Sequence, residues 1–382
     1  MDKEYSRLLD ISSLVGRKSV FLFGPRQTGK TFFLKKTYPD APFYNLLRSE
    51  QFFKISQNPG IIREELQAMK QVPQPIVIDE IQKLPILLDE VHAMIEDFGY
   101  RFILTGSSAR KLKRGGANLL AGRASTRYLH PLVSAEIPDW DLVRMINVGS
   151  LPFVYNSEDP QEDLAAYVGT YLKEEIQAEG LVRRIENFSR FLQLASLVNG
   201  QLLNFSNLAS DMGLPAKTVR EYFYILEDTM LGAILPPYSK TTKRKATSTA
   251  KFFFFDIGVA NVLAGRKDLQ PKAELFGSAL EQLVFLELRA YLSYQNDSRS
   301  LHFWRSRSGY EVDFLLGEKC AIEVKATELV SDKHLKGLHA LSEDLSLDQK
   351  IVVSLDARPR KLGDVLVLPV RDFFTGLWNG EF

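Results

Sequence analysis

The 382-residue chain contains one cysteine, Cys320, five histidines and a formal net charge of only +1. A single cysteine excludes an intramolecular disulfide and every cysteine-rich zinc site. The histidines (His92, His130, His302, His334 and His339) are scattered and show no H-x-x-x-H spacing, which removes the common histidine metal motifs as well. Nowhere do about 18 apolar residues run together, and no apolar stretch of signal-peptide length follows Met1-Asp2-Lys3-Glu4. The expected location is therefore the cytoplasm, with no membrane association. Internal repeats and low-complexity tracts are also missing. With 45% hydrophobic and 25% charged residues, the composition is that of a globular protein and excludes disordered, collagenous and fibrous classes. The length accommodates two or three domains.

The near-zero charge also argues against a whole-molecule polyanion binder, but its distribution is uneven. Residues 101–135 carry seven cations (Arg101, Arg110, Lys111, Lys113, Arg114, Arg123, Arg127) and no acid. Residues 229–255 carry five (Lys240, Lys243, Arg244, Lys245, Lys251), again without an acid. Against a net of +1, these two blocks leave the remainder clearly acidic, so any polyanion would have to bind locally.

Short apolar runs at Lys18–Phe23, Ile76–Ile78 and Phe102–Leu104 alternate with helical spacing, as in a parallel α/β sheet with crossover helices. From Gln161 to Asn199 the pattern is wholly helical. Residues 206–212, the turn Gly213-Leu214-Pro215 and residues 216–228 then have helix-turn-helix spacing. The apolar run Leu231–Leu235, the basic stretch Ser239–Thr249 and Phe252–Phe255 read as a hairpin with a basic tip, which would make a winged helix. A helix at Phe276–Leu292 precedes a second hairpin, Tyr310–Leu316 with Lys319–Lys325. The expected division is 1–135 for the P-loop domain, 136–200 for a helical connector, 201–271 for the winged helix and 272–382 for a C-terminal α/β domain.

Gly24-Pro25-Arg26-Gln27-Thr28-Gly29-Lys30-Thr31 matches G-x-x-x-x-G-K-[ST] in full, after a strand and before a helix. Its glycines let backbone N–H groups curl around phosphates, Lys30 reaches the β and γ phosphates, and Thr31 can ligate Mg²⁺. The cofactors expected are ATP and Mg²⁺. Asp79, at the end of the next apolar strand, would hold the Mg²⁺ shell, and Glu80 would polarise the attacking water. Thr105 or Ser107, ending the third strand, could hold that water, although Thr-Gly-Ser-Ser reads equally well as a plain turn. Arg123 and Arg127 are candidates for an arginine finger reaching a neighbouring subunit; a surface arginine or a basic track is an equal alternative.

Near the C-terminus, Asp313 with Glu323-Val324-Lys325 forms a D-x₉-E-x-K array on a hairpin. Strand alternation puts Glu323 and Lys325 on one face, and the turn at Gly317-Glu318 brings Asp313 opposite. Two carboxylates and a lysine can bind Mg²⁺ and activate water for phosphodiester hydrolysis, with Asp313 and Glu323 as metal ligands and Glu281 available to complete the site. Charge embedded among Val312, Phe314, Ile322 and Val324 is expensive without a partner, which favours a built site over an exposed charged hairpin.

These segments resemble a group of prokaryotic AAA-type ATP-binding proteins in which the ATPase domain precedes a conserved domain of unknown function ending in a restriction-endonuclease-like fold. GPRQTGKT, IVIDEIQ, FILTGSSARKL, LAGRASTRYLHPL, FFFFDIGVAN, FGSALEQLV and GYEVDFLL-x₅-IEVKA carry the resemblance, which covers roughly residues 16–325. It implies that Gly29, Lys30 and Thr31 bind nucleotide, that Asp79 and Glu80 serve Mg²⁺ and hydrolysis, and that Asp313, Glu323 and Lys325 occupy nuclease-fold positions. AAA-type domains usually assemble as rings, so a hexameric homo-oligomer is implied. The first functional expectation is an ATP-driven enzyme on branched or duplex DNA, contacted by Lys240, Lys243, Arg244, Lys245, Arg305 and Arg307. The second is a nucleotide-controlled regulator that binds DNA or a protein partner and whose nuclease-like fold does not cut. A small-molecule kinase is disfavoured, because Glu80 suits water activation and two further domains would have no role.

Overall fold

A computed structural model describes residues 4–108, 120, 122–171 and 185–382. Arg110, Lys111, Lys113 and Arg114 of the first basic block lie outside the described residues, as does part of the helical stretch read over 161–199. The chain forms two compact units: residues 6–131 with 228–230, and residues 132–227 and 231–382 with the N-terminal five.

In the first unit, strands β1 (Ser19–Phe23), β2 (Phe43–Asn45), β3 (Ile76–Asp79), β4 (Phe102–Gly106) and β5 (Ala124–Tyr128) form one parallel sheet in the order β2-β3-β4-β1-β5. The three expected strands are β1, β3 and β4. All three are buried along their whole length, which is why they read as continuous apolar runs without alternation. Because every strand is parallel, their C-terminal ends share one edge of the sheet. That edge gathers the Gly24–Thr31 loop after β1, Asp79-Glu80 after β3 and Thr105–Ser107 after β4. Since β4 lies between β1 and β3, Thr105 stands between the loop and Asp79.

In the second unit a six-stranded sheet has the order β12-β13-β11-β10-β9-β8. Its strands are β8 (Leu301–Arg305), β9 (Glu311–Leu316), β10 (Cys320–Lys325), β11 (Gln349–Ser354), β12 (Arg360–Leu362) and β13 (Val365–Pro369). β8, β9 and β10 form an antiparallel meander, while β10, β11 and β13 run parallel. The long helix Glu274–Tyr294 packs on β10. A second pair, β6 (Gly232–Leu235) and β7 (Lys251–Phe254), is antiparallel, as the hairpin reading requires.

The helices Phe205–Met212 and Ala216–Asp228 also form, with Gly213 in the left-handed conformation that ends the first of them. The three segments expected as separate domains after residue 135 share one hydrophobic cluster. The four phenylalanines from 252 to 255 explain this, since all are buried. Phe252 meets Phe223 of the second helix at 4.9 Å, while Phe253 stacks on Phe285 of the long helix at 4.4 Å. A strand buried on both faces joins the layers on either side of it.

Candidate nucleotide site and C-terminal charge cluster

The phosphate loop has the backbone its sequence calls for. Gly29 sits at φ 88° and caps the helix Lys30–Thr37, and Gln27 is also left-handed at φ 64°. A Cβ on Gly24 would run into the Leu129 carbonyl, so only glycine fits there. Lys30 is buried, and its ammonium donates to the carbonyls of Gly24 (2.8 Å) and Pro25 (3.0 Å). The Thr28 hydroxyl donates to Pro25 O at 3.0 Å, closing the loop from within. Arg26 is half-buried on the same turn.

The loop is tied to the acidic pair by a short chain of hydrogen bonds. The Thr31 hydroxyl donates to Asp79 Oδ2 at 2.8 Å, and the Thr105 hydroxyl donates to Asp79 Oδ1 while accepting the Glu80 N–H at 3.0 Å. Thr105 is fully buried, and its hydroxyl links Asp79 to the Glu80 backbone. Glu80 itself is left-handed (φ 63°, ψ 46°), a conformation costly for a non-glycine residue and typical of functional positions. Gln82 donates from Nε2 to Glu80 Oε2 at 2.5 Å and to Ser107 Oγ at 3.2 Å. The sequence reading had quoted Gln82 within IVIDEIQ without giving it a role.

Thr31 and Asp79 supply hard oxygen donors side by side, which suits Mg²⁺, a cation that takes few protein ligands and keeps phosphate and water for the rest. Bound there, the ion would neutralise phosphate charge while the chain positions it through Thr31, Asp79 and Thr105. Arg123 lies at the start of β5, beside Ser19, and so at the sheet edge away from its own phosphate loop; it pairs with Glu96 on the surface. Arg127 is opposite Leu22, nearer the loop end, and donates to Thr126 O.

In the second unit the expected C-terminal residues do converge. Asp313 on β9 accepts the Val324 N–H of β10 at 2.8 Å, and the Lys325 ammonium lies 2.5 Å from Glu323 Oε1 and 3.8 Å from Asp313 Oδ2. The connecting turn spans Gly317, Glu318 and Lys319, with Gly317 at φ 62°. Beyond Glu281, the second half of this cluster was not expected from the sequence. Lys251 on β7 is buried and pairs with Glu281 (2.8 Å) and Glu311 (2.6 Å), and Glu311 in turn pairs with Arg305 (3.0 Å). Only the acid-free basic block pointed to Lys251, and a lysine in an apolar strand gives no sign of which acid it meets.

Burial pushes Glu281 up to about 7, with Asp313 adding to the rise and Lys251 opposing it. Glu323 is raised well above the carboxylate range, first by burial and then by Asp313. Burial alone would lower Lys325 and Lys251, but the surrounding carboxylates outweigh it and hold both above their ordinary value. Among the described residues, no set of three or more His, Cys, Asp or Glu is placed to hold a metal ion. One oxygen, Glu323 Oε2, is buried without a hydrogen-bond partner.

The basic segment between β6 and β7 runs along β8. Pro237 bridges to Phe303 and Ala246 to Ser306, and Arg307 N–H donates to Lys245 O. Asp344 accepts the backbone N–H groups of Thr242, Lys243 and Arg244, while Lys240 pairs with Glu318 and Arg244 with Glu343. Lys243, Lys245 and Arg307 are exposed.

Comparison with known proteins agrees with the loop geometry. Residues 16–137 match the family described as AAA domain, 139–270 match a domain of unknown function (DUF8612), and 276–373 match another (DUF4143). The chain therefore carries an AAA-type P-loop ATPase domain, which implies ATP binding. An uncharacterized protein of Methanocaldococcus jannaschii, MJ1544, is 25% identical over 373 residues, covering 88% of this chain and 81% of that one. Among solved structures, Aeropyrum pernix ORC1 in complex with DNA aligns at a TM-score of 0.30 with 12% identity, over 65% of this chain and 86% of that one. The Pyrococcus horikoshii STAND protein PH0952, with a tetratricopeptide repeat sensor, aligns at 0.21 with 15% identity, over 74% of this chain; the match spans 46% of PH0952. No helix among the described residues is long and apolar enough to cross a membrane.

Proposed function

We propose that the protein is an Mg²⁺-dependent ATP hydrolase, an AAA-type motor or switch that works as a ring of identical subunits on branched or duplex DNA and carries a nuclease-like C-terminal part. The observation that supports the hydrolase reading is the hydrogen-bond chain Thr31–Asp79–Thr105–Glu80 at the end of the phosphate loop, in which Thr31 and Asp79 would hold Mg²⁺ and Glu80 would polarise water. Lys30 would neutralise the β and γ phosphates. DNA is supported by the exposed Lys243, Lys245 and Arg307 along β8, with Lys240, Arg244 and Arg305 flanking them in ion pairs. Exposed pairs of this kind contribute little and could exchange an acid for a phosphate. The test is ATP turnover with and without single-stranded, duplex and four-way DNA. Stimulation by one structure, weakening as salt rises, is expected; turnover indifferent to every DNA would overturn the DNA reading.

A second reading, a nucleotide-controlled regulator with a C-terminal platform that does not cut, draws on the buried Lys251 and the half-buried Lys325. Lys325 already pairs with Glu323 and Asp313, and Lys251 with Glu281 and Glu311. Mg²⁺- or Mn²⁺-dependent cleavage that disappears in Asp313→Ala and Lys325→Ala supports the first reading. Absence of cleavage on all three DNA structures supports the second.

A further inference from the structure

Arg7, outside the motif, reaches into the phosphate loop. Its segment precedes β1, has no regular secondary structure, and is held by Leu9 and Ile11, both nearly fully buried. From there the half-buried guanidinium donates through Nη1 to Thr28 O at 2.7 Å and through Nη2 to His130 O at 2.6 Å, with Pro131 O at 3.5 Å. Thr28 lies inside the loop and is itself fully buried. One fixed cation thus ties the phosphate loop to the chain that leaves β5.

The contact bears on phosphate binding through peptide geometry. In a trans peptide the C=O and the following N–H point in opposite directions. The only cis bond among the described residues is Gln74-Pro75, so the peptide joining Thr28 to Gly29 is trans. Holding the Thr28 carbonyl toward Arg7 therefore turns the Gly29 N–H the opposite way. Gly29, left-handed at φ 88° and capping the loop helix, is where such a rotation would otherwise be easiest, since glycine has no Cβ to resist it. The guanidinium is always charged and offers a rigid fork of donors, so it can grip two carbonyls at once across the pH range.

We propose that Arg7 is a positioning residue for nucleotide binding: by gripping the Thr28 and His130 carbonyls it sets the Thr28–Gly29 peptide so that the Gly29 N–H faces the nucleotide phosphates. This rests on the reading of Gly24–Thr31 as the ATP site. Because P-loop amides cradle the inner phosphates, the orientation serves ATP and ADP alike and serves ground and transition states alike. Arg7→Ala is therefore expected to weaken ATP and ADP by the same factor, about tenfold for one charge-assisted hydrogen bond lost. KM should rise by about that factor with kcat nearly unchanged. Arg7→Lys, whose point charge can grip one carbonyl at a time, should fall in between.

The measurement is titration of fluorescent mant-ATP and mant-ADP into the full chain, its Arg7→Ala and Arg7→Lys variants, and Lys30→Ala, with steady-state kinetics and the nucleotide-free melting temperature of each. An equal loss for both nucleotides in Arg7→Ala, partly restored in Arg7→Lys, supports the proposal. Wild-type affinity in Arg7→Ala, with Lys30→Ala impaired, overturns it and leaves the ATP site standing. Failure of the wild type to bind either nucleotide overturns the ATP reading itself. If Arg7→Ala does not fold, Arg7→Lys decides: wild-type affinity there, or a fall in kcat with KM unchanged, counts against the proposal.

Discussion

Replacing Thr105 by valine removes one hydroxyl and keeps the side chain's shape. In the native chain that hydroxyl donates to Asp79 Oδ1 and accepts the Glu80 N–H at 3.0 Å, and no solvent reaches it. The valine variant leaves a buried N–H without an acceptor, at about 1–3 kcal/mol, and takes from a carboxylate a bond worth about 1.5–3 kcal/mol. Some of that loss will be relieved by local movement, and the movement is what hydrolysis should register. Glu80 is held at φ 63° partly through the N–H that Thr105 accepts, and once released it can leave this strained conformation. A carboxylate displaced by about 1 Å costs on the order of 10²-fold in rate. Thr105→Val should therefore lower kcat by roughly 30- to 100-fold and raise the Mg²⁺ concentration needed for half-maximal rate, while Thr105→Ser stays within about threefold of wild type. Phosphate release across an Mg²⁺ titration reads both effects. A Thr105→Val enzyme within about threefold of wild type at the same Mg²⁺ requirement would refute the positioning role.

Gln82→Glu sets a second carboxylate where Nε2 now meets Glu80 Oε2 at 2.5 Å. Two carboxylates at that distance repel, so Glu80 should be displaced and kcat should fall by about tenfold or more; kcat within about threefold of wild type would show that Gln82 does not position Glu80. Burial pushes Glu287 up to about 7 although Ser134 and Trp378 donate to it, and burial pushes Asp256 to about 6. Raised carboxylates bind more protons in the native than in the unfolded chain between their ordinary values and these, so stability should fall as pH rises from about 4 to about 7 and then level off. Glu287→Gln should flatten that slope, and melting temperatures at stepped pH will show whether it does. Gly232→Ala would drive a methyl into the Phe252 ring and should lower the melting temperature by several degrees, with the nucleotide affinity of the loop in the first unit unchanged.

The phosphate-loop site was largely legible because its parts are local: a contiguous motif, and an Asp-Glu pair ending a buried apolar run. The contact of Thr105 with Asp79 was not legible, since only the strand order puts β4 between β1 and β3 and so aims its hydroxyl at Asp79. Arg7 could not be read at all, being far from the loop in sequence and carried by a segment without periodicity. In the second unit, strand alternation placed Asp313, Glu323 and Lys325 together. It could not foresee that Lys251, on β7, would pair with both Glu281 and Glu311. The placement of the basic hairpin tip was hidden for a similar reason. Its charge is visible in the sequence, but Glu318, Glu343 and Asp344, which fasten it along β8, come from distant turns.

The central claim, that Glu80 activates water for hydrolysis of ATP bound on the Gly24–Thr31 loop, is tested most directly by one single-turnover experiment on Glu80→Gln. Radiolabelled ATP is bound to the wild type and to the variant with Mg²⁺, and both the bound nucleotide and its conversion to ADP are followed. The account predicts ATP bound as tightly as by the wild type, with conversion slowed by about 10²-fold or more. Conversion at the wild-type rate by Glu80→Gln would contradict it.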